Sequence, residues 1–338
     1  MINIISSFGY KTGGRGPGKV FANLTKGLEQ LGYPYVVNRD LNSTRRLWIH
    51  DSLTALYLLG ESRALKVLGP NLFVLPREIP RSISLEGSLY VQPSDWAKKV
   101  WEDAGFTGCP IRVWPVGVDT DLFRPAAQKS RATRVLVYHK QRDPEELSRI
   151  TRSLEILGLP FSVIKYGTYV EDEYRQVLAD ASLVIWHGCH ESQGLALQEA
   201  MACDVPILVC DVVRLSDSWP LQQFPTALES VRVTAAPYFD DSCGIKITSL
   251  GDFGQAVDRM MDGLGQFAPR EYVLKNLSLE TQARAFVGLW QHWGLNLEEG
   301  LSETATGERK WRAPLLARVR VRVDRQRGSK WARKGAKS

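Results

Sequence analysis

The sequence predicts an α/β fold built around parallel sheets. Two apolar runs of strand length, Leu183–Trp186 and Val205–Cys210, flank a segment of strong helix formers in which apolar residues recur at helical spacing. Strand, helix and strand in this order are typical of a parallel sheet that is buried on both faces. With 338 residues, the chain can bury two such domain cores.

The composition is that of an ordinary globular protein, with 44% hydrophobic and 24% charged residues. No apolar run reaches the roughly 18 residues of a membrane helix. The N-terminal segment lacks the basic and apolar regions of a secretory signal. The five cysteines form no CxxC pair, which favours a reduced, cytoplasmic protein.

The positive charge is concentrated in a C-terminal tail. The net charge is +6, but from Arg309 onward twelve basic residues face the single acid Asp324, a balance of +11. The rest of the chain is therefore near −5. A solvated extension is one interpretation of this tail. Attraction to an anionic membrane or a polyanionic acceptor is a second, and nonspecific nucleic-acid contact is a third.

A candidate anion site lies where the central helix begins. The preceding strand ends at His187, the chain loops from Gly188 to Ser192, and Gly194 leaves room for a ligand to approach the backbone. A helix N-terminus at the carboxyl end of a parallel strand presents free N–H groups and the positive end of the helix dipole. This arrangement favours a phosphate group.

Two glutamates flank this candidate site, Glu191 in the loop and Glu199 on the helix. At 1.5 Å per residue they lie roughly 10 Å apart. Carboxylates beside a phosphate site suit a ligand with hydroxyl groups on both sides of its phosphates, as a nucleotide diphosphate sugar has. The alternative is structural, with Glu199 an ordinary exposed helix residue and Glu191 a partner of the helix dipole.

Two stretches of the chain carry recognisable motifs. The stretch at 191–209 is ESQGLALQEAMACDVPILV, in which the two glutamates are separated by seven residues. The other stretch has S-D-W at 94–96, then a predicted helix, then PVGVDTDLFRP at 115–125. Both resemble the retaining glycosyltransferases of family 4, also called glycosyl transferases group 1, and the first is similar to the E-x7-E signature of that family. The resemblance covers residues 1–293. It implies a GT-B fold, in which two doubly wound Rossmann-like domains face a cleft.

The resemblance also implies roles for the residues of the candidate site. Glu191 would contact the donor sugar, and Glu199 would hold the ribose hydroxyls. The diphosphate would be bound by Ser192, Gly194 and Leu195.

The N-terminal segment predicts a strand, Met1–Ser6, then a glycine-rich loop and a helix, Val20–Leu31. The loop nearly matches the phosphate-binding pattern GxxxxGK[ST]. However, Val20 stands where Ser or Thr would bind magnesium, which disfavours a P-loop ATPase. By the resemblance, Gly13 and Gly14 would contact the donor diphosphate across the cleft. A plain tight turn is the alternative.

The rest of the first half continues the alternation of strands and helices. His50 ends one predicted strand; the resemblance implies a place near the donor sugar, and a structural histidine is the alternative. Ser94 is the predicted N-cap of a helix. The predicted elements are strands at Tyr35–Val37, Leu47–His50, Asn71–Leu75, Leu89–Gln92 and Arg112–Pro115, and a helix at Asp95–Ala104.

The second half begins with a predicted strand, Arg134–Tyr138, that two cations follow. Lys140 and Arg142 are well placed to neutralise a leaving diphosphate, and a solvated pair in a loop is the alternative. The resemblance implies that the nucleotide base lies at the loop that contains Tyr166 and Tyr169, where either ring could stack on it; ordinary packing of the two rings is the alternative. The remaining predictions are helices at Pro144–Leu157, Glu171–Ala179, Asp252–Leu264 and from Pro269, a strand at Phe161–Lys165 and a loop at Leu215–Thr226.

The last predicted helix, Leu279–Trp293, is capped by Ser278 and has an aromatic face. GT-B enzymes often send this helix back across the N-terminal domain, and ordinary core packing is the alternative. Asn296–Lys310 is predicted to be a polar linker.

These observations divide the chain into four predicted segments. Residues 1–126 form an acceptor-side domain, and 127–278 form a domain that binds the nucleotide sugar. Residues 279–296 form the helix that crosses back, and 297–338 form a linker with the basic tail. His187, His190 and Glu191 are too few and too closely spaced for a zinc site, so we expect no metal.

The predicted reaction, as the resemblance implies it, transfers a sugar from a UDP- or GDP-sugar to a hydroxyl group with retention. The acceptor would be a glycan, a lipid-linked or a protein acceptor. The donor is a substrate, so no cofactor is expected. One alternative is a nucleotide-sugar epimerase or hydrolase on the same fold. Another is a protein that binds nucleic acid through its tail. We expect a cytoplasmic protein with peripheral membrane contact through residues 309–338.

Overall fold

The computed structural model describes residues 1–8, 16–127, 133–217, 228 and 231–302. Gly13, Gly14 and the basic tail at 309–338 therefore lie outside the described residues, as does most of the predicted loop at Leu215–Thr226. Within the described ranges, no helix is long and apolar enough to cross a membrane.

The first sheet has six parallel strands in the order β2-β1-β3-β4-β5-β6. Every residue of β1, β3 and β5 is buried, because helices cover both faces of the sheet. The strands are β1 Ile2–Ile5, β2 Tyr35–Val37, β3 Arg46–Ile49, β4 Leu65–Leu68, β5 Ser88–Gln92 and β6 Ile111–Val113. The helices of this half are α1 Pro17–Gln30, α2 Leu53–Tyr57 and α3 Asp95–Asp103.

The second sheet has five parallel strands in the order β11-β10-β9-β7-β8. The central strand β9 is buried throughout, as its apolar sequence predicts. The strands are β7 Val135–Lys140, β8 Phe161–Lys165, β9 Leu183–Gly188, β10 Ile207–Cys210 and β11 Gly244–Ile247. The helices are α4 Pro144–Ile156, α5 Glu171–Asp180, α6 Leu195–Ala202, α7 Phe253–Asp262 and α8 Pro269–Asn276.

The last helices return to the first sheet. Helix α9, Leu279–Gly288, is capped by Ser278, whose Oγ accepts a hydrogen bond from the backbone N–H of Thr281. It continues as a 3₁₀ helix, Leu289–Trp293, and α10, Leu297–Ser302, follows. Phe286 on α9 packs between Trp48 and Trp114, with ring centroids 5.1 and 4.5 Å away.

Helix α9 lies very close to α1. A Cβ atom placed on Gly27 of α1 would lie 2.7 Å from the carbonyl oxygen of Leu279 and 2.9 Å from the Cβ of Ala283. Only glycine permits this approach, so the two helices share a tight contact that closes the core of the first sheet.

The structure differs from the sequence predictions at several elements. The prediction of a strand at Asn71–Leu75 is wrong. The strand in this part of the chain is β4, which ends at Leu68, and residues 71–75 form an irregular segment before a 3₁₀ turn, Pro76–Glu78. The predicted linker at Asn296–Lys310 contains α10, and β11 was not predicted. Ser94 stands at the N-cap of α3, but its Oγ makes no hydrogen bond with the described residues.

Candidate active site

A cavity of about 980 Å³ lies between the two halves of the molecule. One wall comes from the start of α1, the segment after β4 and helix α3. The opposite wall comes from the end of β7, the loop after β8, residues 190–194 and helix α6. The carboxyl end of a parallel sheet is where α/β proteins commonly bind ligands.

The loop between β9 and α6 is held firmly in place. Gly194 has φ 80° and ψ 49°, a left-handed conformation that lets the chain turn into α6. The side chain of Gln193 accepts a hydrogen bond from Val116 N at 3.1 Å and donates one to Val116 O at 2.7 Å. Because Val116 follows the last strand of the first sheet, this pair fixes the loop against the other half of the molecule.

Glu191 is buried and bound from three sides. Its backbone N–H donates to Thr234 O at 3.0 Å, and Trp96 Nε1 donates to its carbonyl oxygen at 2.9 Å. Lys140 Nζ lies 2.7 and 2.9 Å from the two carboxylate oxygens. Burial raises the pKa of the Glu191 carboxyl although Lys140 opposes the shift. Burial also disfavours the charged form of Lys140, but Glu191 outweighs this effect, and the pKa of Lys140 is raised.

Glu199 lies on α6 with its residue only 3% exposed. Lys19, on α1 in the other half of the molecule, forms an ion pair with it. The same Lys19 Nζ lies 2.8 Å from Glu171 Oε2. Burial raises the pKa of Glu199 to about 7, against the opposing effect of Lys19. The two glutamates of the candidate site are therefore each buried and each paired with a lysine.

Tyrosine side chains line the cavity on the side of the second sheet. Tyr166 is 45% exposed, and Lys140 Nζ lies 4.5 Å from its ring centroid, a cation–π contact. Tyr138 stacks on Trp186 with ring centroids 4.1 Å apart, and its hydroxyl lies 3.0 Å from that of Tyr169. Of these residues, Tyr166 offers the most accessible ring for a base to stack on.

Arg142, the second predicted cation, does not line the cavity. Its guanidinium donates to Glu146 Oε2 at 2.8 Å and to the carbonyl oxygens of Gly188 and Cys210 at 3.3 and 3.0 Å. These contacts hold the ends of β9 and β10 together. The structure thus separates the two cations, and Lys140 is the one that reaches the cavity.

His50 is fully buried behind the cavity wall. Its Nδ1 lies 3.1 Å from Ser6 Oγ, and its Nε2 lies 2.6 Å from Asn71 Nδ2. Asn71 lines the cavity, so His50 adjoins the site through Asn71.

A pair of histidines, His139 and His187, lies near Arg142. His187 Nε2 lies 3.0 Å from Glu146 Oε2, and His187 Nδ1 lies 3.1 Å from His139 Nδ1. Burial lowers the pKa of His139 to about 4. In the part of the chain that the structure describes, no group of three or more His, Cys, Asp or Glu side chains could hold a metal ion.

Several residues of the cavity were not predicted from the sequence. Lys19 and Glu171 form a cluster with Glu199, and Trp96 and Gln92 line the opposite wall. In the sequence, only the Gly18–Lys19 pair of the phosphate-loop pattern indicates a site at Lys19. Its partner Glu199 is 180 positions away, and no local pattern predicts that contact.

No protein-family model and no curated protein sequence matches the chain. Several solved structures are similar to it along most of their length, including two with TM-scores above 0.5. Sucrose-phosphate synthase from Thermosynechococcus elongatus has 12% identity and a TM-score of 0.57, covering 86% of this chain and 98% of its own. The catalytic domain of starch synthase IV from Arabidopsis thaliana, bound to ADP and acarbose, has 12% identity and a TM-score of 0.53, covering 89% and 99%. With its two parallel sheets, the chain has the two-domain, Rossmann-like GT-B fold.

Proposed function

We propose that this protein transfers a sugar from a UDP- or GDP-sugar to a hydroxyl group of an acceptor. One observation carries the proposal: a single cavity joins the N-terminus of α6, the Lys140–Glu191 pair and Glu199. The two similar structures support it as well, because one is a sucrose-phosphate synthase and the other is a starch synthase with ADP bound. Retention at the sugar is part of the proposal through the resemblance of residues 191–209 to family 4.

The reaction forms a bond between the acceptor oxygen and the anomeric carbon. It breaks the bond from that carbon to the phosphate oxygen, and the nucleoside diphosphate leaves with the electron pair. The proton of the acceptor hydroxyl passes to the leaving phosphate or to solvent. Negative charge therefore builds on the leaving phosphate. Lys140 and the N–H groups at the start of α6 would stabilise this charge.

Donor binding would exchange the partners of the two buried glutamates. The diphosphate would take Lys140 from Glu191, which is then free to accept hydrogen bonds from the sugar hydroxyls. The ribose hydroxyls would likewise replace Lys19 at Glu199. Before the donor binds, the two lysines pair with the buried carboxylates. Without these partners, each buried carboxylate would be unpaired, which is unfavourable.

A thermal-shift screen tests the donor site. UDP, GDP, ADP and their sugar conjugates are added to the purified protein, and we expect one nucleotide to raise the unfolding midpoint, because it binds only the native state. Glu199→Gln should remove the shift. Glu280→Gln, at an exposed position on α9, is the matched control and should keep it. If no nucleotide at millimolar concentration raises the midpoint, the donor-site proposal is wrong.

Product analysis tests the reaction. With the nucleotide sugar that the screen identifies, we expect transfer to an acceptor hydroxyl and a product whose anomeric configuration, measured by NMR, matches the donor. Glu191→Gln should lower turnover by roughly 100-fold, because it removes an electrostatic contact to the reacting sugar, while the nucleotide shift remains. Free sugar with or without acceptor would indicate a hydrolase, and an isomeric nucleotide sugar would indicate an epimerase.

A further inference from the structure

The wall of the cavity on the side of the first sheet is unlike the opposite wall. The side of α6 and β7 carries Lys140, Glu191 and Glu199, whereas the segment after β4 and helix α3 contribute mainly apolar side chains. This apolar wall is formed by Leu72, Phe73, Val74, Leu75, Trp96 and Val100.

Packing of the protein core does not account for Val74, whose residue is 76% exposed. Its backbone is fixed nevertheless. Its N–H donates to Glu78 Oε2 at 2.9 Å, and its carbonyl oxygen accepts from Trp101 Nε1 at 3.0 Å. These two hydrogen bonds hold an aliphatic side chain out of the core at the cavity. An exposed apolar side chain held in this way is typical of a ligand or partner contact.

Few polar groups of the segment after β4 and of helix α3 line the cavity, and those present already have a partner. The indole N–H of Trp96 donates to the carbonyl oxygen of Glu191, and Asn71 Nδ2 is hydrogen-bonded to His50. Glu78, which also lines the cavity, accepts a hydrogen bond from the backbone N–H of Val74 through Oε2. A ligand covered with hydroxyl groups would lose its hydration here without enough replacement hydrogen bonds.

Gln92, at the end of β5, is the exception on this wall. It is only 4% exposed and lines the cavity, and its Nε2 has no hydrogen-bond partner among the described residues. A buried amide without a partner is unfavourable in the empty protein. It can donate one hydrogen bond to an oxygen atom of a bound molecule.

We propose that the acceptor is an alcohol that carries an apolar group, either an aromatic ring or an alkyl chain. The apolar group lies against Phe73, Val74 and Trp96, and Gln92 donates a hydrogen bond to an acceptor oxygen. This inference rests on the proposed sugar transfer, and it names the acceptor class as apolar alcohols, whether soluble or lipid-borne, in preference to glycan chains.

The test measures binding of naphthol and octanol, with maltotriose as the polar comparison, by titration calorimetry. We expect both alcohols to bind the wild-type protein and maltotriose not to bind. Val74→Asp should weaken alcohol binding at least about tenfold, because a charge would be buried against the apolar group. Ile156→Asp changes an exposed aliphatic residue outside the cavity and should leave binding unchanged.

Gln92→Leu gives a second, independent readout. Because leucine removes a buried donor that lacks a partner, we expect the unfolding midpoint of the empty protein to stay or rise. Alcohol binding should weaken all the same. A merely structural role for Gln92 would produce the reverse pattern, a lower midpoint with unchanged binding.

The acceptor proposal is overturned if maltotriose binds and the alcohols do not, or if Val74→Asp and Ile156→Asp behave alike. Its failure is distinguishable from failure of the proposed function, because alcohol binding is measured without a nucleotide. A protein that binds a nucleotide but no apolar alcohol keeps the transferase proposal and loses only the acceptor class. Transfer of sugar to naphthol, reduced in Val74→Asp, would support both.

Discussion

The two buried glutamates obtain their properties from burial and from one lysine each. Glu191 and Glu199 both have raised pKa values, and burial is the largest cause for both. Their lysine partners arrive from different places: Lys140 from the end of β7 and Lys19 from the other half of the molecule. A carboxyl group in such surroundings takes up a proton more readily than an exposed one.

The raised pKa of Glu199 predicts how stability depends on pH. The native state holds this proton up to about pH 7, whereas the unfolded state releases it near 4.5. Between these values the native state binds more protons, so the free energy of unfolding falls as the pH rises from about 4.5 to 7. The loss attributable to this group is on the order of 3 kcal/mol.

Chemical denaturation at several pH values measures this effect. We expect the stability difference between wild type and Glu199→Gln to shift in favour of the variant as the pH rises through this window. Glu280→Gln, which changes an exposed carboxylate, should follow the wild-type curve. Parallel curves for wild type and Glu199→Gln would contradict the assignment.

At the residue scale, sequence predicted the types of side chain better than their contacts. Glu191, Glu199, Lys140 and Tyr166 do line one cavity, as expected from the strand and helix pattern with the family resemblance. Arg142 lies elsewhere because Glu146, one helical turn later, and two backbone carbonyl groups bind it. The roles of all these residues in a reaction stay predictions.

At the scale of elements, the contact between α1 and α9 depends on Gly27. A helix interior normally gains about 1 kcal/mol when glycine becomes alanine. Here the added methyl group would collide with α9, and overpacking of this kind costs about 1–3 kcal/mol.

We therefore expect Gly27→Ala to destabilise the protein in urea denaturation. The control is Gly254→Ala in α7, where a Cβ atom would meet nothing within 4 Å. That change should stabilise by about 0.5–1 kcal/mol. If both substitutions stabilise, the helices do not approach as closely as described.

The incorrect prediction of a strand at Asn71–Leu75 has a physical explanation. The run NLFVL is as apolar as a buried strand, and composition alone cannot tell a sheet from the wall of a cavity. The actual strand, β4, contains Lys66 among its four residues and gives a weaker apolar signal. By contrast, β9 and α6 were predictable because their apolar residues are buried in the core.

At the scale of the whole molecule, Arg270 on α8 connects its two halves. Its guanidinium donates to Thr120 O and to Phe123 O, both at 3.1 Å, and also to Ala202 O at the end of α6. Thr120 and Phe123 lie in the segment that leads out of the first sheet. One side chain therefore links this segment to the second sheet's central helix.

Arg270→Met should cost on the order of 3 kcal/mol, because several hydrogen bonds from a charged donor are lost together. Arg284→Met is the control: that arginine is exposed and makes one ion pair within α9, which contributes at most about 1 kcal/mol. Calorimetric unfolding of both variants measures the difference. Equal stabilities would mean that Arg270 does not hold the two halves together.

The overall fold could be predicted from two local motifs, because repeated strands and helices leave a periodic pattern in the sequence. The contacts that join the two halves of the molecule could not be predicted in this way. The contacts from Lys19 to Glu199 and from Gln193 to Val116 join positions far apart in the chain, and no periodicity records them.

The return of α9 to the first sheet also affects the order in which the cores form during synthesis. The strands of the first sheet end at Val113, but Phe286 and Trp290 complete its core. A ribosome needs on the order of ten seconds to add the intervening residues. During that time the second sheet, whose strands span residues 135–247, is synthesised in full. The half of the protein that emerges first is thus completed last, because part of its apolar core stays uncovered until α9 has been made.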